Sequence, residues 1–182
     1  MNLEEKQLSS KNIYDGCLLH VRRDEVLLPN GGQSVREYLI HNGAVCIIPL
    51  TEQGGVLIEH QFRYATGQTV VELPAGKLDS PDEDPLAAAQ RELREETGAL
   101  AEIWVPLGYF YPAVAYSTEK IYLFAAKHLT FGARALDADE FLEVEEVPLE
   151  TLVKQVLAGQ ILDIKTQAAV LRAHLMRQDG AL

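Results

Sequence analysis

The sequence predicts an α/β sandwich with mixed strands and helices on its faces, preceded by a small antiparallel sheet at the N-terminus. Short apolar runs separated by turn residues predict strands along much of the chain. One capped segment of helical periodicity predicts a central helix, and two more helical segments follow Pro148. The 182 residues, 47% of them hydrophobic, suffice for one well-buried domain with a small appendage.

The N-terminal elements are strands. Residues 12–41 contain the runs CLLHVRR, EVLLP and SVREYLIH around the turn Asn30-Gly31-Gly32, which predicts an antiparallel meander. A sheet of this size is too small to be stable alone. The chain is expected to comprise a strand-rich segment, residues 1–42, which does not fold alone, and a main domain, residues 43–182.

The main domain begins with two apolar runs, AVCIIPL (44–50) and VLIEHQF (56–62). They flank a Gly-rich turn at residues 51–55, which predicts a hairpin. Further strands are predicted near residues 69–73, 101–111 and 119–127. Beyond Pro148, residues 149–159 and 163–178 are predicted to be helices, separated at Gly159.

The central helix is predicted over residues 85–97. Asp84 is a suitable N-cap, Pro85 is tolerated at the first helical position, and Gly98 suits a left-handed C-terminal stop. At 100° per residue a single stripe can face a core, and its members are Leu86, Ala89, Leu93 and Thr97.

A second face of this helix is acidic. Glu92, Glu95 and Glu96 are separated by helical spacings at which like charges repel, and they lie where the helix dipole disfavours anions. One interpretation is a solvated face on which Arg91 pairs with Glu95 and Arg94 is a counterion. The other is a site for a hard divalent cation such as Mg²⁺, which prefers carboxylate and phosphate oxygens.

The surrounding residues resemble the signature of the Nudix hydrolases. In that family a Gly, five residues, a Glu and seven residues precede Arg-Glu-aliphatic-x-Glu-Glu-x-Gly-aliphatic. The spacing differs once: six residues separate Gly76 from Glu83, which we interpret as an insertion in the loop 78–82. The matching positions are Gly76, Glu83, Arg91, Glu92, Leu93, Glu95, Glu96, Gly98 and Ala99.

The resemblance implies roles for these positions. Glu92 and Glu96 would hold Mg²⁺, with Mn²⁺ as a substitute, and the carbonyl of Ala75 would be a further ligand. Glu95 would bind a second ion or orient its water. Arg91 would tie the helix to the loop through Glu83, a structural role. Gly76 and Gly98 would also be structural, needed for backbone conformation.

Flanking segments resemble the ADP-ribose and nucleoside-diphosphosugar pyrophosphatases within this family, over most of residues 44–172. This resemblance implies substrate contacts from Arg63, Glu72 and Tyr116. It also implies a homodimer in which the N-terminal sheet is exchanged between partners. The chain departs from the group at Val114-Ala115, where a Pro-Gly is usual, so that residues 113–116 would shape a different terminal-sugar pocket. The segments concerned are 61–64, 72–79, 111–112, 117–122 and 163–166.

A general base is expected in the loop before the strand FLEVEEV. Members of this group use an acidic residue there, and the candidates in this chain are Asp137, Asp139 and Glu140. We favour Glu140, which precedes the apolar Phe141, as catalytic base or metal ligand, and Asp139 next. An exposed acidic turn is the alternative.

Other functional classes are disfavoured. A net charge of −11 opposes binding to nucleic acid or anionic membranes. No apolar stretch is long enough to span a membrane, and the N-terminus lacks a signal-peptide core. The five histidines form no close pair, and no Ser or Cys occupies a nucleophile-elbow motif. Cys17 and Cys46 are expected to be buried reduced thiols of a cytoplasmic protein.

The predicted function is Mg²⁺-dependent hydrolysis of a nucleoside diphosphosugar, with ADP-ribose giving AMP and ribose 5-phosphate. GDP-mannose or another diphosphosugar is the alternative substrate. A domain that senses ADP-ribose without hydrolysing it is the alternative class. The complete set of Arg91, Glu92, Glu95 and Glu96 argues against a sensor, which has no need of a metal cluster.

Overall fold

The computed structural model describes residues 2–182 and contains two compact units. The first comprises the N-terminal residues as far as Gly43 together with the segment Tyr111–Lys120. The second comprises Ala44–Phe110 and Ile121–Leu182. Within the first unit, Leu39 pairs with the inserted segment: its N–H donates to the Tyr116 carbonyl (2.8 Å) and its carbonyl accepts from the Thr118 N–H (3.0 Å).

The sheet of the first unit is an antiparallel meander, as predicted, of order β1-β2-β3. Its strands are β1 (Lys6–Asp15), β2 (His20–Leu27) and β3 (Gln33–Ile40). The runs CLLHVRR and EVLLP do not form separate strands, because β2 takes residues from both. The sequence did not predict β1 from an alternation of apolar and polar residues. All residues of β1 are exposed, so none is selected for a core. Cys17 lies in the turn before β2 and is exposed, so its predicted burial is wrong.

The second unit has two sheets. One has the order β7-β4-β9-β8 and is mixed, because β4 and β9 are parallel while the outer pairs are antiparallel. The other has the antiparallel order β10-β5-β6. The strands are β4 (Ala44–Pro49), β5 (Gly55–Arg63), β6 (Gln68–Glu72), β7 (Ala75–Lys77), β8 (Ala99–Phe110), β9 (Ile121–Phe131) and β10 (Leu142–Pro148).

Helices cover both faces of the mixed sheet, which confirms the predicted sandwich. Every residue of β4 is buried. Val45 and Ile47 pack with α1 (Pro85–Thr97), whereas Cys46 and Ile48 pack in the core formed by α2 (Leu149–Leu157) and α3 (Ile164–Gln178). Two-sided burial explains why β4 reads as a continuous apolar run rather than an alternating one.

The predicted hairpin of residues 44–62 is wrong, although both strands and the turn exist. The turn closes with hydrogen bonds between Thr51 and Gly55 (2.9 Å) and between Gly54 and Thr51 (3.0 Å). Beyond it only one bridge, Leu50–Val56, joins the two strands. A strand buried on both faces gains more in the middle of a sheet than in a local hairpin, and β4 therefore pairs with β7 and β9.

The central helix has the predicted bounds. Asp84 caps its first turn by accepting from the N–H groups of Leu86 (3.5 Å) and Ala87 (3.3 Å). Gly98 ends it in the left-handed conformation with φ of 73°. Of the predicted core stripe, Ala89, Leu93 and Thr97 are buried and Leu86 is half-buried. Within residues 2–182, every helix is too short or too polar to cross a bilayer.

Candidate active site

The acidic face of α1 turns inward, against β7. Glu96 is 3% exposed, and its Oε2 accepts a hydrogen bond from the N–H of Ala75 (3.0 Å). The side chain of Glu92 is 13% exposed and that of Glu95 is 28% exposed. The solvated-face interpretation is therefore wrong for Glu92 and Glu96, and the cost of burying their charges requires a compensating group.

Because Gly76 has no side chain, the carboxylate of Glu92 can pack against its backbone. A Cβ at Gly76 would lie 2.0 Å from the Cδ of Glu92, so only glycine permits this packing. The φ of Gly76 is outside the left-handed region, and the expected conformational need is wrong for this residue. Gly98 does have a positive φ, and a Cβ there would also lie 2.6 Å from the carbonyl oxygen of Gly132.

Arg91 connects the helix to the preceding loop. Its Nη2 lies 3.5 Å from Glu83 and 3.3 Å from the Lys77 carbonyl, while its Nη1 donates to Glu92 (2.7 Å) and Glu95 (3.3 Å). The contact with Glu83 is the one that sequence predicted. The contacts with Glu92 and Glu95 add a second role, because Arg91 is the counterion of the acidic face.

Glu59 on β5 is a buried carboxylate that sequence reasoning missed. It is 2% exposed, and its Oε1 has no hydrogen-bond partner among residues 2–182. Burial, followed by the charges of Glu140 and Glu72, raises the pKa of Glu59. The available signal was an acidic residue inside the apolar run VLIEHQF, where an unpaired charge is costly.

Glu59, Glu92, Glu96 and Glu140 form one electrostatic group, which we call the carboxylate cluster. Burial raises the pKa of Glu96, and the charges of Glu59, Glu92 and Glu140 raise it further. Burial also raises the pKa of Glu92, with Glu95 and Glu140 adding to the effect against the opposing charge of Arg91. The ionised form of the cluster is therefore disfavoured unless a further cation neutralises it.

Glu140 belongs to this cluster because its charge acts on the other three carboxylates. It is half-buried in the turn before β10, where its N–H donates to the Asp137 carbonyl (3.0 Å). Its charge contributes to the raised pKa values of Glu59, Glu92 and Glu96, whereas Asp137 and Asp139 are exposed and do not. The role of Glu140 as base or metal ligand stays a prediction.

The chemistry of the carboxylate cluster fits a divalent cation. Buried carboxylate oxygens, one of them without a partner, are the donors that Mg²⁺ prefers. In residues 2–182 no three acidic, His or Cys side chains already surround a single point as ligands would.

Arg63 and Glu72, both predicted to bind substrate, bind each other. The Nε and Nη2 of Arg63 donate to the two oxygens of Glu72 at 2.6 and 2.7 Å. The side chain of Glu72 is 4% exposed and that of Arg63 is 44% exposed. Arg63 can thus reach an external ligand, whereas the oxygens of Glu72 are already engaged.

Sequence reasoning missed two further basic residues, which contact Glu72 and the backbone of Glu96. Lys165, in the first turn of α3, forms ion pairs with Glu72 and with Asp163 (3.1 Å). Arg134 donates from Nε to the carbonyl of Glu96 (2.6 Å) and from Nη2 to the carbonyl of Leu142 (3.3 Å). A lysine at a helix N-terminus was a usable signal, because the dipole disfavours it. Arg134, in an irregular loop, gave none.

Tyr116 lies in the first unit. It is 58% exposed, and its N–H donates to the carbonyl of Ala113 (3.1 Å) in a turn. Its predicted contact with substrate stays a prediction, as does the shaping of a sugar pocket by residues 113–116.

Comparisons with protein families identify the relatives of this chain. Residues 40–166 match the NUDIX domain, and residues 5–39 match the nucleoside diphosphate sugar hydrolase N-terminal domain. A solved structure titled ADP compounds hydrolase has the same fold, with a TM-score of 0.87 at 22% identity over 100% of both chains.

Relatives in sequence span most of the chain. An ADP-ribose pyrophosphatase of Bacillus subtilis is 39% identical over 93% of this chain and 92% of its own. A methanol dehydrogenase activator of Bacillus methanolicus is 37% identical over 92% of this chain and 91% of its own. A GDP-mannose pyrophosphatase of Yersinia pestis is 34% identical over 74% and 72%. The signature residues and these matches together show that the chain belongs to the Nudix hydrolase family.

Proposed function

We propose that the protein hydrolyses the pyrophosphate bond of a nucleoside diphosphosugar in a reaction that depends on Mg²⁺. The observation that carries the proposal is the buried carboxylate cluster at the end of α1. Within residues 2–182, Oε1 of Glu59 has no hydrogen-bond partner, and Glu92 packs so close to residue 76 that only glycine fits there. The preferred substrate is ADP-ribose, with AMP and ribose 5-phosphate as products. The name of the Bacillus subtilis relative supports this choice.

The roles of the metal-site residues are those that the resemblance to the family implies, and the burial of the acidic face supports them. Glu92 and Glu96, with the carbonyl of Ala75, would hold the metal ion, and Glu95 would hold a second ion or orient its water. When bound, the cation neutralises the pyrophosphate and activates water. Mn²⁺ would substitute for Mg²⁺, since both accept oxygen ligands.

Glu140 would remove a proton from the attacking water or join the ligand set. Its half-buried position, from which its charge raises the pKa of Glu96, supports either role. Arg63 would bind a phosphate or ribose oxygen, because its guanidinium is partly exposed and keeps N–H donors that Glu72 does not use.

A product assay tests the proposal. Purified protein is incubated with ADP-ribose, GDP-mannose or a dinucleotide, first with Mg²⁺ and then with a chelator, and nucleoside monophosphates are separated by chromatography. We expect AMP from ADP-ribose only when metal is present. Equal release of product in chelator would contradict the role of metal.

GDP-mannose is the second candidate substrate, favoured by the name of the relative from Yersinia pestis. Faster release of GMP from GDP-mannose than of AMP from ADP-ribose would favour it. Tight binding of ADP-ribose without turnover of any substrate would favour a sensor. We also propose a cytoplasmic homodimer, which sedimentation of the purified protein tests for its oligomeric state.

A further inference from the structure

Lys165 is a charged residue in an unfavourable place. It is the second residue of α3, where the helix dipole repels a cation, and its side chain is only 13% exposed. Burial by itself favours the neutral amine, but the charges of Asp163 and Glu72 outweigh it, so the pKa of Lys165 is raised. A residue that breaks two local rules and stays charged is held there by specific partners.

These partners form a chain of ion pairs that reaches the surface. The Nζ of Lys165 contacts Oε2 of Glu72 and lies 3.1 Å from Oδ1 of Asp163. Glu72 in turn binds the Nε and Nη2 of Arg63 at 2.6 and 2.7 Å. The side chains of Lys165 and Glu72 are 13% and 4% exposed, whereas that of Arg63, at the other end, is 44% exposed.

The start of α3 is fixed to the strand that carries Glu72. Asp163 accepts from the N–H of Thr166 (2.9 Å) and from its hydroxyl (2.6 Å). The same hydroxyl oxygen accepts from the N–H of Leu73 (2.9 Å), the residue after Glu72. Thr166 is fully buried, and its hydroxyl joins the start of α3, which carries Lys165, to the residue that follows Glu72.

Arg63 has N–H donors that Glu72 does not use. A guanidinium has five N–H groups, of which Glu72 takes one from Nε and one from Nη2. The two N–H groups of Nη1 have no hydrogen-bond partner among residues 2–182. The clamped edge fixes the plane of the guanidinium, and the remaining edge is free to bind an anion.

We propose that Lys165 is a positioning residue, which fixes the carboxylate of Glu72 so that Arg63 presents its free edge to a phosphate oxygen of the substrate. Glu72 then acts on Arg63 and does not contact the substrate. The identity of the anion rests on the proposed function, whereas the effect of Lys165 on Arg63 does not.

The first test is independent of substrate. Replacing Lys165 by Met removes the charge and keeps the length of the side chain, and Lys154→Met on the exposed face of α2 is the control. The Nε–H signal of Arg63 is assigned in ¹⁵N NMR spectra by its loss in Arg63→Met. We expect K165M to raise the rate of exchange of this proton with water about tenfold, and K154M to leave it unchanged. An unchanged rate in K165M overturns the proposal.

The second test uses kinetics with ADP-ribose and Mg²⁺. K165M should raise KM about tenfold with a smaller change in kcat, because Arg63 contacts the substrate before and during reaction. In the R63M background, K165M should add no further increase in KM. Additive effects on KM overturn the proposal, because they show that Lys165 acts without Arg63.

A third variant covers the case in which K165M folds poorly. The double substitution E72Q/K165M removes one charge of each sign, so it should recover thermal stability while the raised KM and the fast exchange persist. Recovery of normal KM and exchange together with stability would overturn the proposal. If the wild-type protein hydrolyses no diphosphosugar, the proposed function fails, and the NMR comparison still decides the role of Lys165.

Discussion

Gly76 on β7 and Glu92 on α1 touch so closely that no side chain fits between them. A Cβ on Gly76 would lie 2.0 Å from both Cδ and Oε1 of Glu92. The carboxylate therefore packs directly against backbone, one residue from the Ala75 N–H that binds Glu96. The two glutamates proposed to hold metal are thus placed by the same short strand.

Gly76→Ala tests this relationship. The added methyl group must push the carboxylate of Glu92 aside, and we expect kcat/KM to fall about a hundredfold, the loss typical of a misplacement near 1 Å. Gly132→Ala is the control, because its nearest neighbour would be 3.8 Å from the new Cβ. Equal activity of the two variants would contradict the proposed role of Glu92.

The carboxylate cluster predicts how stability depends on pH without metal. The pKa values of Glu59 and Glu96 are raised in the folded state, chiefly by burial, so the folded protein binds more protons than the unfolded chain. Their contribution is fully present below the unfolded value of about 4.3 and is lost as pH rises towards the folded values. In chelator we expect the Tm to fall as pH rises from 5 to about 8.

Mg²⁺ should reverse this loss, because a cation stabilises the ionised cluster and binds only the folded protein. Differential scanning fluorimetry at matched pH, with Mg²⁺ or chelator, measures both effects. Glu96→Gln should flatten the dependence in chelator and remove most of the gain from Mg²⁺. A Tm in chelator that rises over this range would contradict the assignment.

Glu140→Gln should lower kcat by orders of magnitude with little change in KM. Gln keeps the size of the side chain but can neither accept the proton of an attacking water nor supply a full ligand charge. Steady-state kinetics with ADP-ribose measures both constants. Asp139→Asn is the control, since Asp139 is exposed and does not contribute to the field at Glu96. Wild-type turnover in E140Q would exclude Glu140 as the base.

Local features of the sequence predicted local structure well. The bounds of α1 followed from Asp84, Pro85 and Gly98, whose effects operate within one helical turn. The pairing partners of β4 did not follow from local features, because the Gly-rich turn at 51–55 was compatible with a hairpin. Only the competition among distant strands decided the outcome. The exposed strand β1 was missed because nothing in its sequence is selected for burial.

The candidate site shows the same difference between local features and long-range contacts. Residues inside the signature were found from their spacing, whereas Glu59 and Lys165 lie far from it in sequence and join it through β5 and α3. A charged residue within an apolar segment indicates that such a residue is present, but the sequence does not identify its partners. The contact of Lys165 with Glu72 spans 93 positions, which no periodicity reports.

Arg91 offers a test of how the loop and the acidic face are joined. Its two terminal nitrogens act in different directions, one towards Glu83 and the Lys77 carbonyl, the other towards Glu92 and Glu95. Lysine has a single compact charge and cannot serve both. We expect Arg91→Lys to lower the free energy of unfolding by about 1–3 kcal/mol in urea with chelator present.

The neighbouring Arg94 is the matched control on the same helix. Its side chain is 56% exposed and lies 3.6 Å from Glu95, so Arg94→Lys should change stability by less than about 0.5 kcal/mol. If the two variants lose equal stability, Arg91 is a surface counterion and the link from helix to loop has another cause. If only R91K is destabilised, the arginine of the signature stabilises the fold even before any metal ion binds.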